Sequence, residues 1–105
     1  MSWEIIYSER AKQDLRDIYE YIAIDLLVPG TAKQQVNKLR SVIRSLDEMP
    51  MRHPVYDAEP LKSQGIRMVA VGKYLVFYLP NETEHSVTVV RIIFGGRDLT
   101  QQEME

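Results

Sequence analysis

The residues best suited to chemistry lie in one stretch, from Ile66 to Asp98. Between Leu61 and Arg97 there are five cations (Lys62, Arg67, Lys73, Arg91 and Arg97) against Glu82 and Glu84, a local charge of +3 in a chain whose net charge is −2. Cations spaced along strands are phosphate ligands by charge-assisted hydrogen bonding. An acid–base partner that would turn such binding into catalysis is not evident. His53 stands alone beside Pro54, and His85 stands alone in a polar segment. Neither has a second ligand at metal spacing. The chain has no cysteine, no Walker motif and no Gly-rich phosphate loop, and the lone Gly95-Gly96 pair is too weak a signal for a nucleotide site. Scattered Lys and Arg also simply solvate strand faces, so the cations alone leave both readings open.

Strands carry these residues. Ile66–Val71, Tyr74–Leu79 and Ser86–Phe94 are rich in Val, Ile, Tyr, Phe and Thr, the residue types that strands favour. Gly72-Lys73 is a two-residue turn between the first two runs, and Pro80–Glu84 reads as a longer polar loop before the third. The result is an antiparallel meander. Strict alternation puts Val87, Val89, Arg91 and Ile93 on one face of the last strand and Thr88, Val90, Ile92 and Phe94 on the other. Trp3–Tyr7 is a further short strand, and the meander is its only available partner.

Between the N-terminal strand and the meander lie two helical segments. Ser8 is a candidate N-cap. From Glu9 to Leu27, Ala11, Leu15, Ile18, Ile22 and Leu26 recur every three or four residues, the helical period. Asp14, Asp17 and Asp25 fall off that stripe and read as a solvated face. Val28-Pro29-Gly30 breaks the pattern, because proline disfavours a helical residue before it. Thr31–Gln34 has capping-box spacing, with Pro29 as an alternative start. Ala32, Val36, Leu39, Ile43 and Leu46 form the second stripe, to about Asp47, with Val42 beside it. Glu48–Pro60, interrupted by three prolines, is loop. The two helices form an αα-hairpin covering one sheet face; the other face is either a second small core or a groove for a partner. The fold class is therefore α+β in a single domain over residues 1–105.

Composition sets further bounds. A hydrophobic share of 45% is that of a globular chain, and the absence of cysteine fits a reducing compartment. Met1-Ser-Trp-Glu lacks the basic and apolar regions of a signal peptide, and no apolar run reaches the roughly 20 residues of a membrane span. A cytoplasmic location is expected, with no membrane association.

The order of these elements resembles the RelE/ParE superfamily of toxins from type II toxin–antitoxin modules. Ser8-Glu-Arg-Ala11 opens the first helix, Pro29 marks the break, and Leu61-Lys62 with Ile66-Arg67 introduces the second strand. Gly72-Lys-Tyr-Leu-Val-Phe-Tyr78 matches the family's Gly/Arg-x-Tyr-Arg-x-x-Tyr strand. Val89-Val-Arg-Ile-Ile-Phe-Gly-Gly-Arg-Asp98 matches the final strand and its exit. The resemblance covers nearly the whole chain and implies a RelE/ParE-like fold.

The superfamily divides into RelE-like, ribosome-dependent mRNA endonucleases and ParE-like proteins that poison DNA gyrase. Cleavage of RNA needs an activated 2′-hydroxyl, a stabilised phosphorane and a protonated leaving oxygen. Leu75 stands where the RelE-like pattern has an arginine, no tyrosine follows Tyr78, and the exit segment has no histidine. The resemblance therefore implies the ParE-like branch: a gyrase inhibitor acting by protein binding, with no cofactor and no metal, and with Arg91, Arg97 and Asp98 as target contacts. The alternatives are a nuclease that would use Arg67, Lys73, Arg91 and Arg97 on ribosome-bound mRNA, and a non-toxic module that only binds antitoxin. All three imply a cognate antitoxin, in a heterotetramer or larger complex. Tyr19, Tyr21 and Val42 on the hairpin, together with the free sheet face, are its expected receivers.

Overall fold

A computed structural model describes residues 2–95. Strand β1 (Glu4–Tyr7) runs into helix α1 (Glu9–Glu20), and a single π-helical turn, Tyr21–Asp25, follows. Helix α2 spans Pro29–Arg44. Two 3₁₀ turns and helix α3 (Leu61–Gln64) lead to β2 (Arg67–Val71), β3 (Tyr74–Asn81) and β4 (Ser86–Phe94). The sheet order is β1-β4-β3-β2. The three later strands form the expected antiparallel meander, and β1 joins its β4 edge in parallel.

The N-cap is the expected one. Ser8 Oγ accepts from Ala11 N at 3.0 Å, satisfying one of the amides a helix start leaves free. Helix α2 begins at Pro29 and not at the Thr31 capping box, with Ala32 N donating to Val28 O at 3.0 Å. Proline suits the first helical position because the amide it lacks is unpaired there anyway. The first helix ends as regular α-helix at Glu20, not at Leu27 as the periodicity predicts. The π turn then brings Leu27 into a left-handed conformation, φ +57°.

Apolar stripes of both helices pack on one sheet face. Ala11, Leu15, Ile18, Ile22, Ala32, Leu39 and Ile43 meet Val71, Val76, Val89 and Ile92. Each fully buried Leu or Ile in such a layer contributes roughly 1.5–3 kcal/mol. The opposite face is a second small core. Leu61 and Ile66, with Tyr56 beside them, pack on Phe77 and Ile93, and Met68 and Leu75 of the sheet border the cluster. The sheet face expected to be free is thus covered in part, by Tyr56 of the loop and Leu61 of α3. At the far end Leu46, Tyr78 and Val87 form a third cluster with Trp3 and Ile5.

Two strand readings change. β3 continues through Pro80 to Asn81, pairing Pro80 with Val87. The register between β3 and β4 shifts between Phe77, opposite Arg91, and Tyr78, opposite Val89, which leaves Val90 as an extra residue. Such a bulge resets the alternation of side chains. Ile92 therefore joins Val89 in the helix-side core and Ile93 turns to the loop side, the reverse of the strict pattern.

Candidate functional site

The bulge lies where β1 stops. β1 pairs with β4 only as far as Val89, so the next part of that β4 edge has no strand beside it. Helix α1 takes over. Ser8 Oγ donates to Val90 O at 2.9 Å, and Ile92 N donates to Asp14 Oδ2 at 2.9 Å. Arg91 completes the arrangement, with Nε donating to Asp14 Oδ2 at 2.8 Å and Nη2 to Oδ1 at 3.2 Å. Asp14 and Arg91 are only 9% and 7% exposed. This corrects one expectation: Asp14 is not on a solvated face. Arg91, expected as a target contact or phosphate ligand, is buried and paired with Asp14, as a buried charge demands, while its Nη1 has no hydrogen-bond partner among the described residues and Arg91 lines the groove described below.

Arg67 is also committed. Its Nη1 donates to the carbonyls of Met51 (3.1 Å) and His53 (2.6 Å), pinning the proline-rich loop across the β2 edge. Nearby, the buried Tyr78 hydroxyl donates to Pro50 O at 2.6 Å. Burial raises the Tyr78 phenol above its ordinary range, partly opposed by the Arg67 and Arg52 guanidiniums. His53 is lowered, first by burial and then by Arg52. Lys73 is exposed in the β2–β3 turn, at the other end of β2 from Arg67. The four cations named for a nuclease are therefore not one constellation: Arg67 holds a loop, Arg91 is buried on Asp14, Lys73 stands apart, and Arg97, like Asp98, lies outside the described residues. Among the described residues no group of three His, Asp or Glu is placed to hold a metal.

A groove of about 1010 Å³ runs between the hairpin and the β4 exit. Ile18, Ile22, Leu26 and Val28 form one wall and Tyr74 and Phe94 the other, with Lys73 and Arg10 at its margin. Tyr74 and Phe94 meet edge to face, centroids 5.8 Å apart. Burial raises the Tyr74 phenol, helped by the neighbouring Tyr21. Of the hairpin residues expected to receive an antitoxin, Tyr21 opens on this groove. Tyr19 faces a separate cleft, and Val42 is partly buried against the main core.

The groove continues into an apolar hairpin tip that the sequence reading passed over. Ile24, Leu26, Leu27 and Val28 are all exposed, Leu27 at 79%. Leu27 also holds its positive φ without glycine's freedom, a conformation costing an L-residue roughly 1–2 kcal/mol. A large apolar residue that is both strained and in water gains nothing from the folded monomer, and such outliers cluster at functional surfaces. The signal was present as Ile-Ala-Ile-Asp-Leu-Leu-Val before Pro29, an apolar run that outlasts the helical period.

Residues 5–99 match the family model of the ParE toxin of type II toxin-antitoxin system, parDE. No curated protein matches the chain. Among solved structures, the chain is similar to one from the chromosomal ParDE TA system from P. aeruginosa, with 17% identity, a TM-score of 0.72, and 89% of this chain and 96% of that one covered. A chain of the toxin-antitoxin complex RelBE2 from Mycobacterium tuberculosis follows at 14% identity and TM-score 0.66, covering 90% and 92%. A mutant of the E. coli toxin RelE in the free state gives 14% and 0.61, covering 91% and 86%. At these identities the structural likenesses establish the shared fold.

Proposed function

The chain belongs to the ParE toxin family of type II toxin–antitoxin systems, and from that premise we propose that it inhibits DNA gyrase by binding it, without turnover, until a cognate antitoxin neutralises it. The observation that carries this reading is the disposition of the cations. Arg67 is committed to internal carbonyls, and Arg91 is buried with Nε and Nη2 on Asp14. That leaves Lys73 as the one exposed member of the nuclease set among the described residues. Stabilising a phosphorane and protonating a leaving oxygen would take several convergent groups.

What the molecule does present is apolar: the hairpin tip at Ile24, Leu26, Leu27 and Val28, beside the long groove. Exposed apolar surface rimmed by polar residues marks protein-binding sites. The tip and groove are the proposed docking surface. The test is a supercoiling assay with purified gyrase, run beside primer extension on translated mRNA. Loss of supercoiling with uncut mRNA is the expected result. Codon-positioned cuts with normal supercoiling would overturn the proposal.

A further inference from the structure

Two donors of the large groove are left over by the fold. Arg91 Nη1 and Gln35 Nε2 are buried, and neither has a hydrogen-bond partner among the described residues. Both residues line the groove, Arg91 from β4 and Gln35 from α2. The acids of the lining do not meet them. Asp14 accepts from Arg91 Nη2 on Oδ1, and from Arg91 Nε and Ile92 N on Oδ2. Asp17 Oδ1 takes the Gln13 amide at 2.7 Å. A buried donor without an acceptor costs its full desolvation, most of all when it is charged. Folded proteins rarely carry one without a reason, and here two border the same cavity.

The chemistry of the missing acceptor follows from the lining. Only donors are on offer, so an amine or a zwitterion would bring further donors to a site that lacks acceptors. Arg10, Lys73 and Arg91 stand against Asp14 and Asp17, a surplus of one positive charge. A carboxylate supplies one negative charge and two accepting oxygens, one for each spare donor. A phosphate dianion would exceed the surplus and face the two aspartates. The remaining walls include Ile18, Ile22, Tyr74 and Phe94, which suit an apolar body. At about 1010 Å³ the groove stands at the upper end of the roughly 300–1,000 Å³ of small-molecule sites.

We propose that the groove binds a small apolar monocarboxylic acid, its carboxylate accepting from Arg91 Nη1 and Gln35 Nε2. Both nitrogens are shut from solvent, so entry requires side chains of the lining to move. The groove is also the surface proposed for gyrase, so a bound acid would block that docking. The binding itself does not depend on the target.

The test titrates phenylbutyrate, its neutral amide and phenyl phosphate into the full chain, by calorimetry and by NMR of the Gln35 side-chain amide. The acid is expected to bind at least about tenfold tighter than the amide, as a charge-assisted contact does, and to shift the Gln35 resonance. Gln35→Met keeps the side chain's length and removes its donor. It is expected to weaken the acid by about fivefold or more, and to melt no lower than the wild type because an unmet donor is gone. Gln34→Met, at an exposed neighbour on the same helix and outside the groove, is expected to change the affinity by less than about twofold. Equal binding of acid and amide, tighter binding of phenyl phosphate, or an unchanged affinity in Gln35→Met overturns the assignment, as does no binding of the acid at millimolar concentration. Loss of gyrase inhibition in Gln35→Met, with no binding of the acid to the wild type, would give these donors to gyrase itself and overturn the free acid as occupant. Gyrase inhibition by the wild type is read in a separate assay, so failure here leaves that reading standing.

Discussion

Asp14 and Arg91, 77 residues apart in sequence, meet through two hydrogen bonds, and the same carboxylate takes the backbone amide of Ile92. The pair stands where strand β4 loses its neighbour. Its carboxylate does for the sheet edge what another residue of β1 would have done. Removing either partner leaves a buried charge uncompensated. Arg91→Ala and Asp14→Ala are each expected to cost roughly 3–5 kcal/mol in chemical denaturation. The double variant should cost clearly less than the sum, since both single changes break one interaction. Additive losses would show that the two side chains act separately.

Tyr78 gives a prediction for alkaline pH. Burial raises its phenol pKa above the ordinary 10.0, so the folded state holds the proton more tightly than the unfolded chain does. The sign follows by linkage. This contribution is fully present below pH 10 and is lost as pH rises from there through the folded pKa. Stability measured between pH 9 and 11 should therefore fall. In Tyr78→Phe the fall should be shallower, with a loss of about 1–3 kcal/mol at neutral pH because Pro50 O loses its donor. An unchanged slope would remove Tyr78 as the cause.

Arg67→Ala should loosen the loop it pins. The expected cost is about 1–3 kcal/mol for carbonyls that lose their donor. Faster hydrogen exchange should be confined to residues near Met51–Tyr56 and the adjoining strand. Uniform acceleration across the sheet would mean that Arg67 supports the fold globally.

Leu27 separates stability from binding. Leu27→Gly relieves the positive φ but adds freedom to the unfolded chain, for a net gain of about 0.5–1 kcal/mol. The variant should melt at a higher temperature and inhibit gyrase less. If it inhibits as well as the wild type, the tip is not a contact.

Ile24→Asp tests the same surface without touching the backbone. Its side chain is 64% exposed, so stability should stay within about 0.5 kcal/mol. Inhibition should drop by tenfold or more, read as the toxin concentration that halves supercoiling. Retained inhibition would move the contact elsewhere.

Much of the fold was legible because it rests on periodicity. The apolar stripes Ala11, Leu15, Ile18 and Ala32, Leu39, Ile43 lie in the core as read, and the Gly72-Lys73 turn joins the strands it was expected to join. Two kinds of information were hidden. The first is position along a strand edge. Nothing local to Asp14 says that β4 will present an unpaired amide to it, so an acid off the helical stripe looked solvated. The bulge at Val90 was equally silent, because one inserted residue leaves composition unchanged while reversing every later side chain. The second is the destination of long side chains. Arg67 and Arg91 looked available on a strand diagram, yet each reaches an acceptor that only the tertiary fold supplies. The site itself was partly legible: Tyr21 lies on the groove, but the neighbouring apolar tip was absorbed into the helix pattern and missed.

The place of β4 in the sheet also governs when this fold can close. Among the described residues β4 is the last strand of the sheet in sequence, yet it lies between β1 and β3 and holds α1 through Asp14. The first strand has no partner, and helix α1 lacks the acceptor-to-amide link at Asp14, until that strand has been synthesised. Such late, long-range pairing is slow to form. A nascent chain stalled or cut before Ser86 is therefore expected to lack the closed sheet, and with it the anchored position of α1.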